Sequence, residues 1–355
     1  MNRLSIIVQG PVMGPDGEPD MRVIRNLRRT RAAFPLAEII LSTWQAPLAT
    51  VERLKQRLSG LAVRLVMSPD PGPLIGEDTA GKYVTNLNRM LLSSRAGLEE
   101  ATRPLAVKLR TDCWLSRRRL LSLLETQVLT VHREVPRDPA YRVFRGRVIN
   151  ASRFARDARG SLPYLFHPGD IFLAGYTEDL RLFFSAKPAT AELFRPARMP
   201  GLCCPWRYVP EQWCWLSAIH KVTGSWVYDG NFEYSPANVM ASEQWYLANF
   251  VPYSCFTLGL HWPKYWRCYP LRGLFSVYTH ARWQRLAVRY LGGKMPLALR
   301  LTAVADHMLT ALWRIGYRLH RVHLLRRGLS YGISAIRRSL RAIKHLRYGL
   351  QRGRE

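Results

Sequence analysis

Residues 4–11 read Leu-Ser-Ile-Ile-Val-Gln-Gly-Pro, a short apolar and largely β-branched run that a Gly-Pro pair stops. Such a run predicts a buried strand followed by a loop. Similar runs follow at residues 38–44, 62–66 and 104–112, and the segments between the runs carry apolar side chains at helical spacing. Because strands and helices alternate, we expect an α/β fold with a mostly parallel central sheet flanked by helices.

The same spacing predicts helices over residues 22–34, 51–58, 83–101 and 210–222. The middle of the chain, residues 113–281, is aromatic and irregular, and its sequence pattern predicts no topology.

The chain has a strongly basic composition. Its 355 residues include 53 Lys and Arg against 25 Asp and Glu, which gives a formal net charge of +28. This charge favours partners rich in phosphate or an anionic membrane surface. Six cysteines occur without a Cys-x-x-Cys pair, so neither a zinc site nor a disulfide framework is indicated.

The loops that follow the predicted strands are the first place to look for a ligand, because open parallel sheets bind ligands at the carboxyl ends of their strands. Gln9, Gly10 and Pro11 follow the first strand, Thr43 ends the second, and Asp70 follows the third. These groups suit the base and ribose of a nucleotide. The sequence contains neither Gly-x-Gly-x-x-Gly nor a P-loop motif, which argues against a nicotinamide dehydrogenase or a P-loop enzyme.

The fourth strand delivers a carboxylate at its exit. Residues 108–112 read Lys-Leu-Arg-Thr-Asp, so Asp112 is placed to bind a divalent cation, Mn or Mg, together with a diphosphate. Arg110 suits contact with the same diphosphate. Asp112 could equally cap the next helix or pair with Arg110, and nearby Asn88 could serve a helix N-terminus rather than a donor nucleotide.

A series of short blocks in a fixed order runs through residues 4–280. They lie at residues 6–12, 37–44, 70–72, 86–89, 108–112, 165–170, 175–180, 210–216 and 242–243. Together they resemble the WavE family of bacterial lipopolysaccharide-synthesis proteins. The resemblance implies a glycosyltransferase that moves a sugar from a nucleotide-sugar to a lipopolysaccharide or other cell-surface glycan.

The resemblance also implies a glycosyltransferase-A-like fold. Residues 108–112 take the place of the usual Asp-x-Asp motif, with Arg110 at the position of the first carboxylate. Residues 1–112 would then form the nucleotide-sugar-binding half and residues 113–281 the acceptor half of a catalytic domain spanning residues 1–281.

Three residues in the expected acceptor half have the chemistry of acid–base catalysts. His167 and Asp170 are three positions apart in a Pro-Gly loop ahead of a strand, which suits a place at the reacting end of the donor, with a simple turn as the alternative. Glu211 precedes an aromatic helix and is the candidate general base on a sugar hydroxyl, although a carboxylate also suits a helix N-terminus. Trp and Tyr residues between positions 206 and 283 suit either stacking on sugar faces or core packing.

The C-terminal tail, residues 282–355, carries 17 of the basic residues and two acidic ones. Residues 301–315 and 322–350 show apolar side chains at helical spacing with basic side chains between them, as in helices that lie on anionic membranes. No apolar run approaches the roughly 20 residues of a spanning helix, and the N-terminus lacks a signal-peptide pattern. We therefore expect a cytoplasmic protein held peripherally on the inner face of the cytoplasmic membrane.

Other interpretations remain open at this level. The tail helices could pack on the enzyme's own core or pair as a hairpin, and Arg110 in the motif is compatible with an inactive scaffold of the same fold. A nucleic-acid-binding protein would also explain the charge, but the sequence shows no recognisable binding motif, so we expect no nucleic-acid partner.

Overall fold

A computed structural model of the chain describes residues 3–78, 81–116, 119–129, 135–160, 164–194, 197–199, 202–204, 206–231, 233–264 and 276–321. The chain divides into two compact units, residues 1–300 and residues 301–355. The helix predicted over residues 322–350 lies outside the described residues.

The strands and α-helices of the described residues have the following bounds. The strands are β1 (Leu4–Gln9), β2 (Glu38–Trp44), β3 (Val63–Ser68), β4 (Leu74–Asp78), β5 (Gly81–Thr85), β6 (Leu105–Arg110), β7 (Trp114–Leu115), β8 (Val148–Ala151), β9 (Phe172–Tyr176), β10 (Ala197–Met199), β11 (Leu202–Cys204), β12 (Phe250–Tyr253) and β13 (Leu260–His261). The helices are α1 (Met21–Ala33), α2 (Leu48–Leu58), α3 (Leu87–Glu99), α4 (Arg119–Leu124), α5 (Thr177–Phe183), α6 (Pro210–Thr223), α7 (Pro236–Asn249), α8 (Cys255–Leu258), α9 (His280–Leu291) and α10 (Leu297–Arg321).

Seven strands form one central sheet in the order β12-β8-β9-β6-β1-β2-β3. The neighbours β6, β1, β2 and β3 are all parallel, and β8 is parallel to β12. Only β9 runs against its two neighbours in this sheet. The predicted α/β class with a mostly parallel sheet flanked by helices is therefore confirmed.

Strand β1 lies at the centre of the hydrophobic core. All six of its residues are buried, because both faces of this strand are covered. Such burial explains its largely apolar sequence. Helix α3 packs against β1, β2 and β3. A Cβ at Gly97 of this helix would lie 2.6 Å from Ile7 Cγ2, so glycine permits the close approach of helix and sheet.

The helix predicted to begin at residue 83 begins at Leu87 instead. Residues 81–85 form β5, which pairs with β4 as an antiparallel hairpin between β3 and α3. The two expected halves share one sheet, since β8, β9 and β12 from residues 113–281 extend the sheet formed by the first four predicted strands.

The first compact unit continues past the expected boundary at Ala281. Helix α9 buries Trp283 and Leu286, and it packs on α7. The buried Glu243 carboxylate of α7 accepts hydrogen bonds from Arg289 at 3.2 Å and Tyr290 at 2.5 Å. These contacts make α9 part of the folded unit that ends at Arg300.

Helix α10 exposes a row of apolar side chains. Leu301, Val304, Met308, Leu312 and Ile315 are each more than half exposed. No helix among the described residues is both long enough and apolar enough to cross a membrane.

Candidate active site

Strands β1, β2 and β6 end side by side at one edge of the sheet. Gln9 is the register partner of Ser42 in β2 and of Arg110 in β6. Because the three strands are parallel, their carboxyl ends meet at this edge, where open α/β sheets bind ligands. The structure thus brings Gln9, Arg110 and the buried Thr43 together at one edge, which we call the donor edge.

The turn after β1 packs tightly against the end of β6. Gly10 has φ +129° and donates its N–H to Ser42, and a Cβ at Gly10 would lie 3.0 Å from Thr111 Oγ1. Gln9 is fixed from both sides, because its carbonyl accepts the Thr111 N–H and its Oε1 accepts the Ser93 hydroxyl at 2.7 Å. Pro11 is exposed beside this turn. Position 10 requires a glycine, since other residues rarely adopt a φ of +129°.

Arg110 and Asp112 form a two-pronged ion pair at the end of β6. The Arg110 Nε and Nη2 each donate to one Asp112 oxygen at 2.9 Å, and the Trp262 indole N–H donates to Asp112 Oδ2 at 3.0 Å. Burial works to raise the pKa of Asp112, but the Arg110 hydrogen bonds hold it below its ordinary value. Two of the five guanidinium N–H groups are used in this pair, which leaves three for a ligand.

The residues around Asp112 do not fit a divalent cation. Both carboxylate oxygens already accept hydrogen bonds from Arg110, whose positive charge opposes a second cation at the same place. The described part of the chain contains no group of three or more His, Cys, Asp or Glu side chains that could hold a metal ion. The position that would hold the expected cation is therefore filled by an arginine.

Two further predicted donor residues have protein partners near the donor edge. Asp70 accepts two hydrogen bonds from Arg89, at 2.7 and 2.6 Å, and these bonds lower its pKa. The Asn88 side chain donates to the Ala189 carbonyl at 2.9 Å and accepts the Ala189 N–H at 2.8 Å. Both side chains therefore fix the shape of this region through contacts within the protein.

The three predicted acid–base residues lie together beside the donor edge, in a group that we call the acid–base cluster. His167 Nε2 lies 3.5 Å from Glu211 Oε2, and the Asp170 carboxylate is near enough to raise the pKa of Glu211. Lys108 Nζ, from the interior of β6, lies 3.5 Å from Asp170 Oδ2 and donates to the Asp170 carbonyl at 2.5 Å. The cluster adjoins the donor edge, since Asp170 also acts electrostatically on Arg110.

The loop that carries His167 and Asp170 is held by buried side chains from several elements. Gln212 of α6 donates to the Leu165 carbonyl at 2.7 Å, and Ser242 of α7 accepts the Phe166 N–H at 2.8 Å. Asn150 of β8 donates to the Pro168 carbonyl at 2.6 Å. Phe166 has a φ of +53°, which a phenylalanine rarely adopts, so these contacts hold a strained residue in the loop.

Burial sets the charge state of the cluster. Desolvation lowers the pKa of His167 to about 3, and desolvation together with the Asp170 charge raises the pKa of Glu211 well above its usual range. Both shifts favour the neutral form of the His167–Glu211 pair.

Sequence reasoning missed the partners that position these groups. The sequence pattern indicates neither the contact of Lys108 with Asp170 nor that of Trp262 with Asp112. Gln212 directly follows Glu211 in the sequence, and this position is a local signal for its positioning role.

The fold and the site define an α/β protein with a mostly parallel sheet and a cluster of titratable side chains beside the carboxyl ends of its strands. The family model described as WavE lipopolysaccharide synthesis matches residues 4–303. The chain belongs to this family, and the resemblance drawn from the ordered blocks is confirmed.

Solved structures show distant similarity to this chain. A cytidylyltransferase from Leptospira borgpetersenii is 14% identical with a TM-score of 0.29, over 53% of this chain and 66% of that chain. S. aureus TarS 1-349 in complex with UDP-GlcNAc is 11% identical with a TM-score of 0.28, over 70% and 55% of the two chains. Mouse xyloside xylosyltransferase 1 is 9% identical with a TM-score of 0.32, over 71% and 85%.

The chain thus spans less than two thirds of the length of the cytidylyltransferase and TarS chains. No curated protein matches the sequence. Identities and TM-scores this low do not identify an activity.

Proposed function

We propose that this chain is a glycosyltransferase that moves a sugar from a nucleotide-sugar donor to a lipopolysaccharide or other cell-surface glycan. One observation carries the proposal. Three candidate acid–base side chains, His167 and Asp170 from one loop and Glu211 from α6, lie together beside an arginine at the carboxyl edge of the parallel strands. Membership of a lipopolysaccharide-synthesis family supports the choice of acceptor.

The donor edge binds the nucleotide part of the donor in this proposal. Gln9, Gly10, Pro11 and Thr43 offer backbone and side-chain groups for the base and ribose. Arg110 uses its remaining N–H groups to stabilise the negative charge that develops on the leaving diphosphate. Arginine is suited to this role because its planar fork matches phosphate oxygens.

The acid–base cluster acts on the acceptor. Glu211 takes the proton of an acceptor hydroxyl as that oxygen forms a bond to the anomeric carbon of the donor sugar. The bond from this carbon to the diphosphate breaks, and the electron pair leaves with the nucleotide. A carboxylate whose pKa lies near the working pH is an effective general base, and burial of Glu211 moves its pKa in that direction.

Nucleotide binding without added metal is the first expected result. Because Arg110 occupies the place of the motif's first carboxylate, a nucleoside diphosphate should raise the melting temperature equally with EDTA and with manganese. A ligand at about 100 times its Kd adds about 2.7 kcal/mol to the free energy of unfolding. A thermal-shift screen over uridine, cytidine, guanosine and adenosine diphosphates makes the measurement.

The same screen contains the outcomes that oppose the proposal. Stabilisation that needs manganese would show that Asp112 binds a cation after Arg110 moves away. If no nucleotide stabilises the protein, and none of the corresponding nucleotide-sugars releases nucleotide in the presence of purified lipopolysaccharide, the chain is not a glycosyltransferase.

We also propose that the second compact unit holds the protein on an anionic membrane surface at the inner face of the cytoplasmic membrane. Helix α10 exposes the apolar row from Leu301 to Ile315. Residues 301–355 contain twelve Lys and Arg against two acidic residues. Each basic side chain near an anionic surface contributes roughly 1 kcal/mol, and apolar insertion adds to this attraction.

Replacing Leu301, Met308 and Leu312 by Ser in the full chain is expected to reduce binding to phosphatidylglycerol-containing vesicles by about tenfold or more, because each burial of a leucine-sized side chain contributes about 1.5–3 kcal/mol. Truncation after Arg300 should abolish vesicle binding and leave nucleotide binding intact. Co-sedimentation at low and high salt measures both effects.

The matched control is Phe256→Ser, which removes another largely exposed apolar side chain outside α10. Equal binding by the triple variant and the unchanged chain would contradict the membrane proposal. An insoluble truncated chain would indicate that residues 301–355 serve the fold instead.

A further inference from the structure

A cavity of about 280 Å³ lies on α6 and is lined by three aromatic rings, those of Tyr208, Trp213 and Trp226. Arg207 and Glu192 add charged groups to its wall. We infer that this cavity, here called the aromatic cavity, binds one pyranose ring of the glycan acceptor, a ring other than the one that receives the sugar. The inference rests on the proposed function for the identity of the glycan.

The three rings contact one another at inclined angles and do not form a parallel stack. Trp213 and Trp226 have centroids 5.8 Å apart and planes inclined by 59°, and Tyr208 and Trp226 lie 5.8 Å apart at 75°. Trp226 is 38% exposed, so its ring is accessible from solvent. At these separations the rings pack directly on one another, so a ligand in the cavity contacts their outward faces.

The polar atoms of these aromatic side chains already have partners. Trp226 Nε1 donates to the Tyr208 hydroxyl at 2.7 Å, and this hydroxyl donates to the Tyr228 carbonyl. Trp213 Nε1 donates to the Lys187 carbonyl at 2.9 Å. What the three side chains present to a ligand is therefore mainly apolar ring surface, held in a fixed orientation.

The charged groups at the wall make a purely apolar ligand unsuitable. The Glu192 carboxylate is exposed and can accept hydrogen bonds, while Arg207, which pairs with Asp229, brings N–H donors to the wall. A pyranose combines a C–H face that packs on aromatic rings with hydroxyls around its rim. Apolar walls with a few polar groups that fix orientation are the usual composition of small-molecule sites.

Size and position separate this cavity from the acid–base cluster. Small-molecule pockets begin at about 300 Å³, so a cavity of about 280 Å³ suits one ring and is too small for a nucleotide-sugar. Trp213 and Glu211 are two positions apart in α6, which places them about 200° apart around the helix axis. The cavity therefore lies on the opposite side of α6 from the cluster, and the ring it binds is not at the reacting position.

The test measures binding without any donor or transfer. The full chain is labelled with 5-fluorotryptophan, and the resonances of Trp213 and Trp226 are assigned with single Trp→Phe variants. Methyl glucopyranoside, methyl galactopyranoside, maltose and lactose are the sugar probes, and uridine and cytidine are the nucleoside probes. We expect saturable shifts of these two resonances with at least one sugar and none with the nucleosides.

Two variants show whether the aromatic cavity is the site. Trp226→Ala removes an accessible ring, and Thr190→Phe fills the cavity from an exposed position while retaining its aromatic walls. Each should weaken sugar binding by about tenfold, the effect of losing about 1.4 kcal/mol. Phe256→Ala removes an exposed aromatic side chain elsewhere and should leave binding unchanged.

The outcomes distinguish this inference from the proposed function. Saturable shifts by nucleosides alone, no shift with any sugar, or equal sugar binding by Thr190→Phe would overturn the inference. In a transfer assay, Trp226→Ala should raise the acceptor KM and leave kcat near its original value. Sugar binding in a chain that transfers no sugar would support the cavity assignment and overturn the proposed function.

Discussion

Glu211→Gln is expected to slow sugar transfer by a factor of about 10² to 10⁴, the usual contribution of a general base. Glutamine retains the size of the side chain but cannot take a proton from the acceptor hydroxyl. Donor binding should stay near normal, because Glu211 acts on the acceptor and not on the nucleotide. Transfer rates and nucleotide affinity, measured on the same preparations, check both expectations.

Two other carboxylate variants serve as the control and as the test of a competing assignment. Glu233→Gln makes the same chemical change at an exposed position and should leave transfer unchanged. Asp170→Asn tests the competing assignment, since Asp170 lies in the same cluster and contacts Lys108. If Asp170→Asn abolishes transfer while Glu211→Gln transfers at the original rate, Asp170 is the base.

The pH dependence of transfer should report the same residue. A base must be deprotonated to act, so the rate falls as the pH drops through the pKa of that base. Burial and the Asp170 charge raise the pKa of Glu211, so the acid limb should lie well above the usual carboxylate range. In Glu211→Gln this limb should disappear from the residual activity.

The sheet could be predicted from the sequence because its central strands carry their signal locally. Residues 4–9 and 105–110 are nearly continuous apolar runs that end in turn signals, and the structure places them as parallel neighbours. The sequence pattern does not indicate the hairpin of β4 and β5, because residues 83–85 of β5 also fit the helical pattern that continues into α3. Pairing with β4 outweighed that local preference.

The composition of the acid–base cluster could be predicted, but its contacts could not. His167, Asp170 and Glu211 each stood in a block whose residue types suit acid–base chemistry. Lys108 and Asp170 are separated by 62 positions, and Trp262 and Asp112 by 150. No local pattern indicates contacts at such separations, since only the completed sheet and its loops bring these side chains together.

The boundary of the tail also depends on contacts that the local sequence pattern does not indicate. Basic and apolar residues alternate on both sides of Arg300, so composition alone gave no reason to separate α9 from residues 301–355. The contacts of Glu243 with Arg289 and Tyr290 join α9 to α7 in the first compact unit. The membrane proposal therefore concerns residues 301–355 and not the whole of residues 282–355.

Asp112→Asn is expected to leave the protein folded and to reduce donor-dependent transfer by about a hundredfold. The Asp112 carboxylate accepts from both Nε and Nη2 of Arg110, and so fixes the guanidinium at the end of β6. An asparagine at this position offers one acceptor oxygen, and its N–H group faces the positively charged guanidinium of Arg110. Loss of one aligned electrostatic contact to the leaving group costs about 3 kcal/mol in the barrier.

A matched control tests whether the loss of transfer depends on where the ion pair lies. Glu100, just after α3, forms an ion pair with Arg64 near the start of β3, at the end of the sheet opposite the donor edge. Glu100→Gln makes the same chemical change there and should leave transfer unchanged. Arg110→Lys should repeat the loss seen in Asp112→Asn, because lysine retains the charge but lacks the planar fork. If Arg110→Lys transfers normally while manganese restores Asp112→Asn, then Asp112 acts as a metal ligand and the arginine has no part in donor binding.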